Sequence, residues 1–180
     1  MHVAGVDSTK GGWVAITLDE DGRFASDHLL AGVDSDFLEL TEARVITVDI
    51  PIGFGPRQAD LAARAFLKGA ASTVFPTPRR EVLGVPFGPG LGVSAQSHAL
   101  GPRILHVTAV AASDERFYEV HPEVSFRAMN DGRALRHRKK SSGGALERIE
   151  LLRRQGIELT RLDAVAAIPL DDVLDAAAAA

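Results

Sequence analysis

Apolar positions in the first fifty residues fall into short, dense runs separated by turn residues. Val3 to Val6 is apolar and ends in Asp7, and after Lys10-Gly11-Gly12 the residues Trp13, Val14, Ile16 and Leu18 mark a second strand. Asp21-Gly22 then predicts a tight turn into a third strand over Arg23 to Leu30. Three strands joined by tight turns form an antiparallel meander. Asp34 or Ser35 is placed to cap a short helix running through Ala43, and Val45-Ile46-Thr47-Val48 is a buried strand ending in Asp49. From Arg57 to Leu67 the spacing of Leu61 with Ala65 and of Ala62 with Phe66 predicts a helix, closed by Gly69.

The segment from Ala70 to Gly92 holds four prolines and repeated glycines, which predicts a long loop without regular structure. A helical stretch from Val93, interrupted near Gly101-Pro102, leads to a strand over Phe117 to Val120 and a short helix over Glu123 to Met129. A basic loop at 131–144 follows. Gly143-Gly144 opens a helix in which Leu146, Ile149 and Leu152 share a face until Gly156. Pro169 to Ala180 reads as a last helix with Asp171 and Asp172 in its first turn, and its closing run of alanines reads as a helix cut short. Strands and helices in this order predict an α/β fold, a mixed five-stranded sheet with helices on both faces. That is the order a ribonuclease H-like domain requires.

A length of 180 residues, 46% of them hydrophobic, suits one domain with a sizeable core. The absence of cysteine excludes a thiol nucleophile, a cysteine-ligated metal and a disulfide framework, and suits the reducing cytoplasm. The N-terminal residues Met1-His2-Val3 lack a basic leader, and no apolar run reaches membrane-spanning length. The net charge of −4 hides an asymmetry. Residues 1–63 carry 11 acids and 4 bases, whereas residues 127–154 carry 9 bases and 3 acids. A basic arm facing an acidic half suits a metal-carboxylate centre served by a phosphate-binding edge, although solvated surface would give the same counts.

Asp7 and Asp49 each follow an apolar strand. Parallel neighbouring strands would bring the two carboxylates to one sheet edge, where they need a proton, hydrogen bonds or a bridging cation. Mg²⁺ is a hard ion that accepts such oxygens. Taken singly, each aspartate also fits a turn or helix cap. On the last helix, Asp172 and Asp175 stand at i and i+3, and the alanines after Asp175 would let that helix approach a sheet closely and carry Asp175 to its edge.

Several ordered segments resemble a known family. They are Val6-Asp7-Ser8-Thr9-Lys10-Gly11-Gly12-Trp13, Val48-Asp49-Ile50-Pro51-Ile52-Gly53, Ser72-Thr73-Val74-Phe75-Pro76-Thr77-Pro78-Arg79, Glu119-Val120-His121-Pro122-Glu123-Val124-Ser125-Phe126, Lys139-Lys140 and Asp171-Asp172-Val173-Leu174-Asp175-Ala176. Together they resemble a widespread prokaryotic family of unknown function labelled as predicted nucleases with a ribonuclease H fold. The pattern Asp172-x-x-Asp175-Ala176 also resembles the final acidic pair of Holliday-junction resolvases. Ser8-Thr9 departs from the glycine expected after the first aspartate, which affects the loop and leaves the carboxylate in place.

The resemblance implies a metal centre built from Asp7, Asp49, Asp172 and Asp175, taking Mg²⁺ or Mn²⁺ and hydrolysing phosphodiesters of structured nucleic acid by two-metal chemistry. Glu119 either joins these carboxylates as a catalytic group or forms a hydrogen-bonded turn with His121 and Glu123. Arg79, Lys139 and Lys140 are the expected phosphate-binding residues, with five bases in Arg133 to Lys140 suggesting a mobile loop. His137 reads as a surface residue. Scarce aromatics point to backbone recognition of the nucleic acid. The alternatives are a nucleotide-binding phosphotransferase or ATPase of actin-like type, whose phosphates the first hairpin would wrap, and a ribonuclease H-like binding module without turnover.

Overall fold

A computed structural model describes residues 2–180; Met1 lies outside the described residues. Strands β1 (His2–Thr9), β2 (Gly12–Leu18), β3 (Phe24–Ala31), β4 (Ala43–Val48) and β5 (Phe117–Glu119) form one sheet in the order β3-β2-β1-β4-β5. The meander β1-β2-β3 is antiparallel, and β4 and β5 add in parallel beside β1. Order and directions are consistent with a ribonuclease H-like domain. The helices are α1 (Gln58–Leu67), α2 (Ala95–Ala99), α3 (Gly101–Ala111), α4 (Pro122–Met129), α5 (Ser142–Arg154) and α6 (Leu170–Ala179).

Strand alternation divides the core into two layers. Val6, Trp13, Ile46 and Val48 point to the side covered by Ile104 and Val107 of α3. Val14 and Ile16 point to the opposite side, where they meet Phe126 of α4, Leu151 and Leu152 of α5, and Val173 and Leu174 of α6. Among the described residues no helix is long and apolar enough to cross a membrane.

The close seat of α6 on the sheet decides the site. A Cβ added at Gly5 would lie 2.1 Å from the Ala176 carbonyl oxygen and 2.2 Å from the Ala180 nitrogen, so only glycine leaves room for the helix backbone. Beside it, the Thr47 hydroxyl donates to the Ala179 carbonyl at 2.7 Å. Gly5→Ala should therefore cost about 3 kcal/mol or more, at the upper end of the usual overpacking range, because the opposing atoms are backbone and cannot rotate away. Urea denaturation checks this. A variant as stable as the wild type would mean that α6 does not need its close approach.

Several local expectations are corrected. The helix expected between Asp34 or Ser35 and Ala43 is only a 3₁₀ turn, Leu38–Leu40. Here Ser35 Oγ accepts from the Phe37 amide and Asp36 Oδ1 from the Leu38 amide, while Phe37 takes a left-handed conformation, so short polar side chains divert the backbone from a helix. The loop from 70 contains two 3₁₀ turns, Lys68–Thr73 and Arg80–Val82. In α1 the apolar pair Leu61 and Phe66 is exposed, and Asp60 and Leu67 are buried instead. In α5, Leu146 and Ile149 face outward, while Arg148, Leu151 and Leu152 are buried. Both helices break the periodicity rule for one reason: a buried ion pair occupies part of the inward face.

Candidate metal centre

Asp7 is not a strand terminus, since β1 continues to Thr9 and pairs Asp7 with Val14. It stands one residue past the last parallel pair, Val6 with Val48, and the Asp49 amide donates to the Val6 carbonyl at 2.9 Å. Asp7 and Asp49 are therefore the next residues on two adjacent parallel strands and share a face. That face carries α6, whose buried Asp175 is the third member. Asp7, Asp49 and Asp175 each offer an oxygen, and the three atoms lie within 4.8 Å of one another.

Crowding of these charges has electrostatic consequences. Burial, followed by the neighbouring Asp49 and Asp175 carboxylates, holds the Asp7 carboxyl well above its ordinary value, against a partial offset from Lys139. Burial likewise pushes Asp175 up to about 6, although Lys139 pulls the other way. Asp7 Oδ1 accepts the Ser8 amide at 2.6 Å, and Asp175 Oδ2 accepts Lys139 Nζ at 2.6 Å. Asp175 Oδ1 is buried with no hydrogen-bond partner among the described residues. An unpaired buried carboxylate oxygen among hard oxygen donors fits a metal cation.

Since cation binding requires the ionised carboxylates, affinity for Mn²⁺ should rise with pH through about 6, the value of Asp175. Titration at pH 5 and pH 7.5 checks the sign. Equal affinity at both would remove Asp175 from the ligand set.

Asp172, expected as a fourth ligand, falls outside this trio: its Oδ2 accepts the Thr9 hydroxyl at 2.9 Å. Burial raises its carboxyl above the ordinary value, the Thr9 bond opposes this, and Asp171 adds to the rise. Glu119 is claimed by another network. Both of its oxygens accept from the Arg57 guanidinium, and Oε2 also accepts the Ile52 amide at 2.8 Å. Arg57 bonds Asp60 as well, and Asp60 Oδ2 accepts from the amide and hydroxyl of Thr77. Asp60, Glu119 and His121 also have ligand atoms within 4.8 Å of one another, but Arg57 is already paired with both carboxylates.

His121 links the two groups, with Nδ1 3.7 Å from Asp49 and Nε2 3.6 Å from Glu119. Burial opposes its protonation, yet the Asp49 carboxylate and then Glu119 outweigh this and raise the imidazole above its ordinary value. The sequence offers His121 as part of a turn in which it orients a carboxylate. Arg57 and Asp60 were missed there, and their separation of three on a helix was the available signal.

Two of the trio, Asp49 and Asp175, line a cleft of about 1080 Å³ whose walls also include Thr77, Arg79, His121 and Lys139. Arg79 is exposed on this wall, and its side chain makes no hydrogen bond or ion pair with the described residues. Of the other two expected phosphate-binding residues, Lys139 is bonded to Asp175, and the exposed Lys140 has its Nζ 3.8 Å from Asp171. The basic arm is weaker than its residue count suggests, because Arg127 and Arg148 are buried and bonded to Leu67 and Gly132 and to Glu123, respectively. His137 is exposed.

No curated protein and no solved structure matches the chain. The pattern of the family described as "Protein of unknown function (DUF429)" matches residues 5–180, and on that near-complete coverage the chain belongs to this family.

Proposed function

We propose that the protein is a metal-dependent phosphodiester hydrolase acting on nucleic acid in the cytoplasm, with Mg²⁺ or Mn²⁺ as cofactor. The observation that carries this reading is the meeting of Asp7, Asp49 and Asp175, from two strands and a helix, beside a cleft lined by Asp49, Asp175 and the unpaired Arg79 side chain. A fold of this kind would not justify it alone. A divalent ion held by these carboxylates would lower the pKa of bound water and stabilise charge on a phosphoryl oxygen.

The chain's own groups have separable tasks. Asp7 and Asp175 are fixed by the seat of α6 on Gly5, and Asp49 is held beside His121. Arg79 supplies a guanidinium able to take two phosphate oxygens at once. In the net reaction a hydroxide equivalent joins phosphorus, the bond from phosphorus to the leaving sugar oxygen breaks, and that oxygen takes the proton. The hairpin hydroxyl of Thr9, which a phosphotransferase would direct at a nucleotide, donates to Asp172 instead, so the nuclease reading is preferred.

Purified protein should be screened with each metal against single-stranded, duplex, hybrid and branched substrates, alongside an ATP hydrolysis assay. Metal-dependent cleavage is expected. ATP turnover without cleavage would overturn the reading in favour of phosphotransfer, and metal-independent binding without either activity would favour a binding module. Arg79→Ala should weaken nucleic-acid binding and reduce the log–log salt slope by about 0.9 for each duplex phosphate that the guanidinium would otherwise neutralise.

A further inference from the structure

The carboxylates around the centre are unequally available. Two-metal sites hold their ions about 3.5–4 Å apart and need bridging and terminal oxygens for both. Here three carboxylates converge; of the acidic groups around them Asp172, Glu119 and Glu123 are hydrogen-bonded to protein donors, while Asp171 Oδ2 is buried 3.8 Å from Lys140 Nζ without a hydrogen bond among the described residues. Asp172 accepts from Thr9, Glu119 from Arg57, and Glu123 from the buried Arg148. Within the trio, Asp175 uses one oxygen on Lys139 Nζ at 2.6 Å and keeps the other, Oδ1, buried and unpaired.

Lys139 is well placed for this contact. It precedes the N-cap of α5, where Ser141 Oγ accepts the Gly144 amide at 3.1 Å and the Ser141 amide donates to the Arg138 carbonyl. Gly144 is required there, because a Cβ would lie 2.0 Å from the Arg138 carbonyl oxygen. The turn carrying Lys139 is thus pressed against α5, and the ammonium is delivered to the trio from a fixed backbone. Three carboxylates and one ammonium leave two net negative charges, which a single divalent ion cancels.

Building on the nuclease reading, we propose that this centre holds one divalent ion, with the Lys139 ammonium permanently occupying the position a second ion would take. Lys139 is then part of the cation set, and its task at the cleft is to offset charge on the phosphodiester beside the ion. Because an ammonium is a single charge on a flexible stem, the arrangement neutralises the trio without demanding an octahedral shell for a second ion.

The test counts Mn²⁺ ions by electron paramagnetic resonance in a titration with Mn²⁺ alone. Wild-type protein should bind one Mn²⁺ per chain with the spectrum of an isolated ion, and Asp7→Asn should lose that ion, assigning it to the trio. Lys139→Met should admit a second Mn²⁺ and give a spin-coupled pair, whereas Lys139→Arg should remain at one. Two coupled ions in the wild type would overturn the proposal while leaving the nuclease reading intact. Binding of no ion by the wild type would overturn the nuclease reading itself. A folded Lys139→Met protein that still binds one ion would show that Lys139 does not hold the second position. The wild-type count stands as a test even if that variant fails to fold.

Discussion

Replacing Asp7 by asparagine is expected to lower metal-dependent phosphodiester cleavage on the order of 10³-fold or more while raising the melting temperature of the metal-free protein. The first effect follows from removing a central ligand charge, since electrostatic stabilisation at a water-poor site is usually a dominant catalytic contribution. The second follows from the cost of the carboxylate in the apoprotein. Burial and the neighbouring Asp49 and Asp175 raise the Asp7 carboxyl well above its ordinary 3.8, so the folded state binds its proton more tightly than the unfolded chain does. The stability linked to that proton is complete below about pH 4 and is lost as the pH rises towards the raised folded value. Asparagine keeps the shape and removes the penalty at neutral pH. A gain of about 1 kcal/mol would raise the melting temperature by about 2–4 °C in a chain of this size. Calorimetry without metal, paired with a cleavage assay, checks both parts. A variant less stable than wild type at pH 7 would mean that Asp7 is not a strained anion, and undiminished cleavage would trace the activity to a contaminant.

Arg57→Ala should produce the largest loss of stability, about 3–5 kcal/mol, because it leaves Asp60 and Glu119 as partly buried anions without their shared cation. At about 2–4 °C per kcal/mol the melting temperature should fall by roughly 6–20 °C. The network joins the start of α1 to the end of β5 and, through Thr77, to the proline-rich segment that walls the cleft. Its pH dependence has the opposite sign to that of Asp7. Burial raises the Asp60 carboxyl, but hydrogen bonds from Arg57 and Thr77 outweigh it and hold the group below 3.8. The stability from Asp60 is present above that value and is lost as the pH falls towards the lowered one. Denaturant unfolding of wild type and variant at pH 7 and pH 3 should show the gap between them narrowing in acid. A constant gap would assign the loss to packing of the Arg57 stem rather than to charge.

The strands, the aspartates that follow two of their apolar runs, the terminal acidic helix and the alanines that let α6 approach the sheet are all legible in the linear chain. These are local signals, because an apolar run followed by a carboxylate and a helix of small residues keep their meaning wherever the chain goes. Which charges are free is a matter of the folded arrangement. Folding ties Glu119 to Arg57 across 62 residues and Lys139 to Asp175 across 36, and it turns the inward faces of α1 and α5 towards the ion-paired Asp60 and Arg148 rather than their apolar neighbours. Periodicity could not show this, since a hydrophobic pattern assumes that charged residues face water. A charge that finds its counter-charge inside the fold avoids most of the desolvation cost on which that assumption rests. Asp172 and Asp175 look equivalent along the chain, but only Asp175 lies one turn deeper, where Gly5 admits the helix backbone and its carboxylate meets those of Asp7 and Asp49.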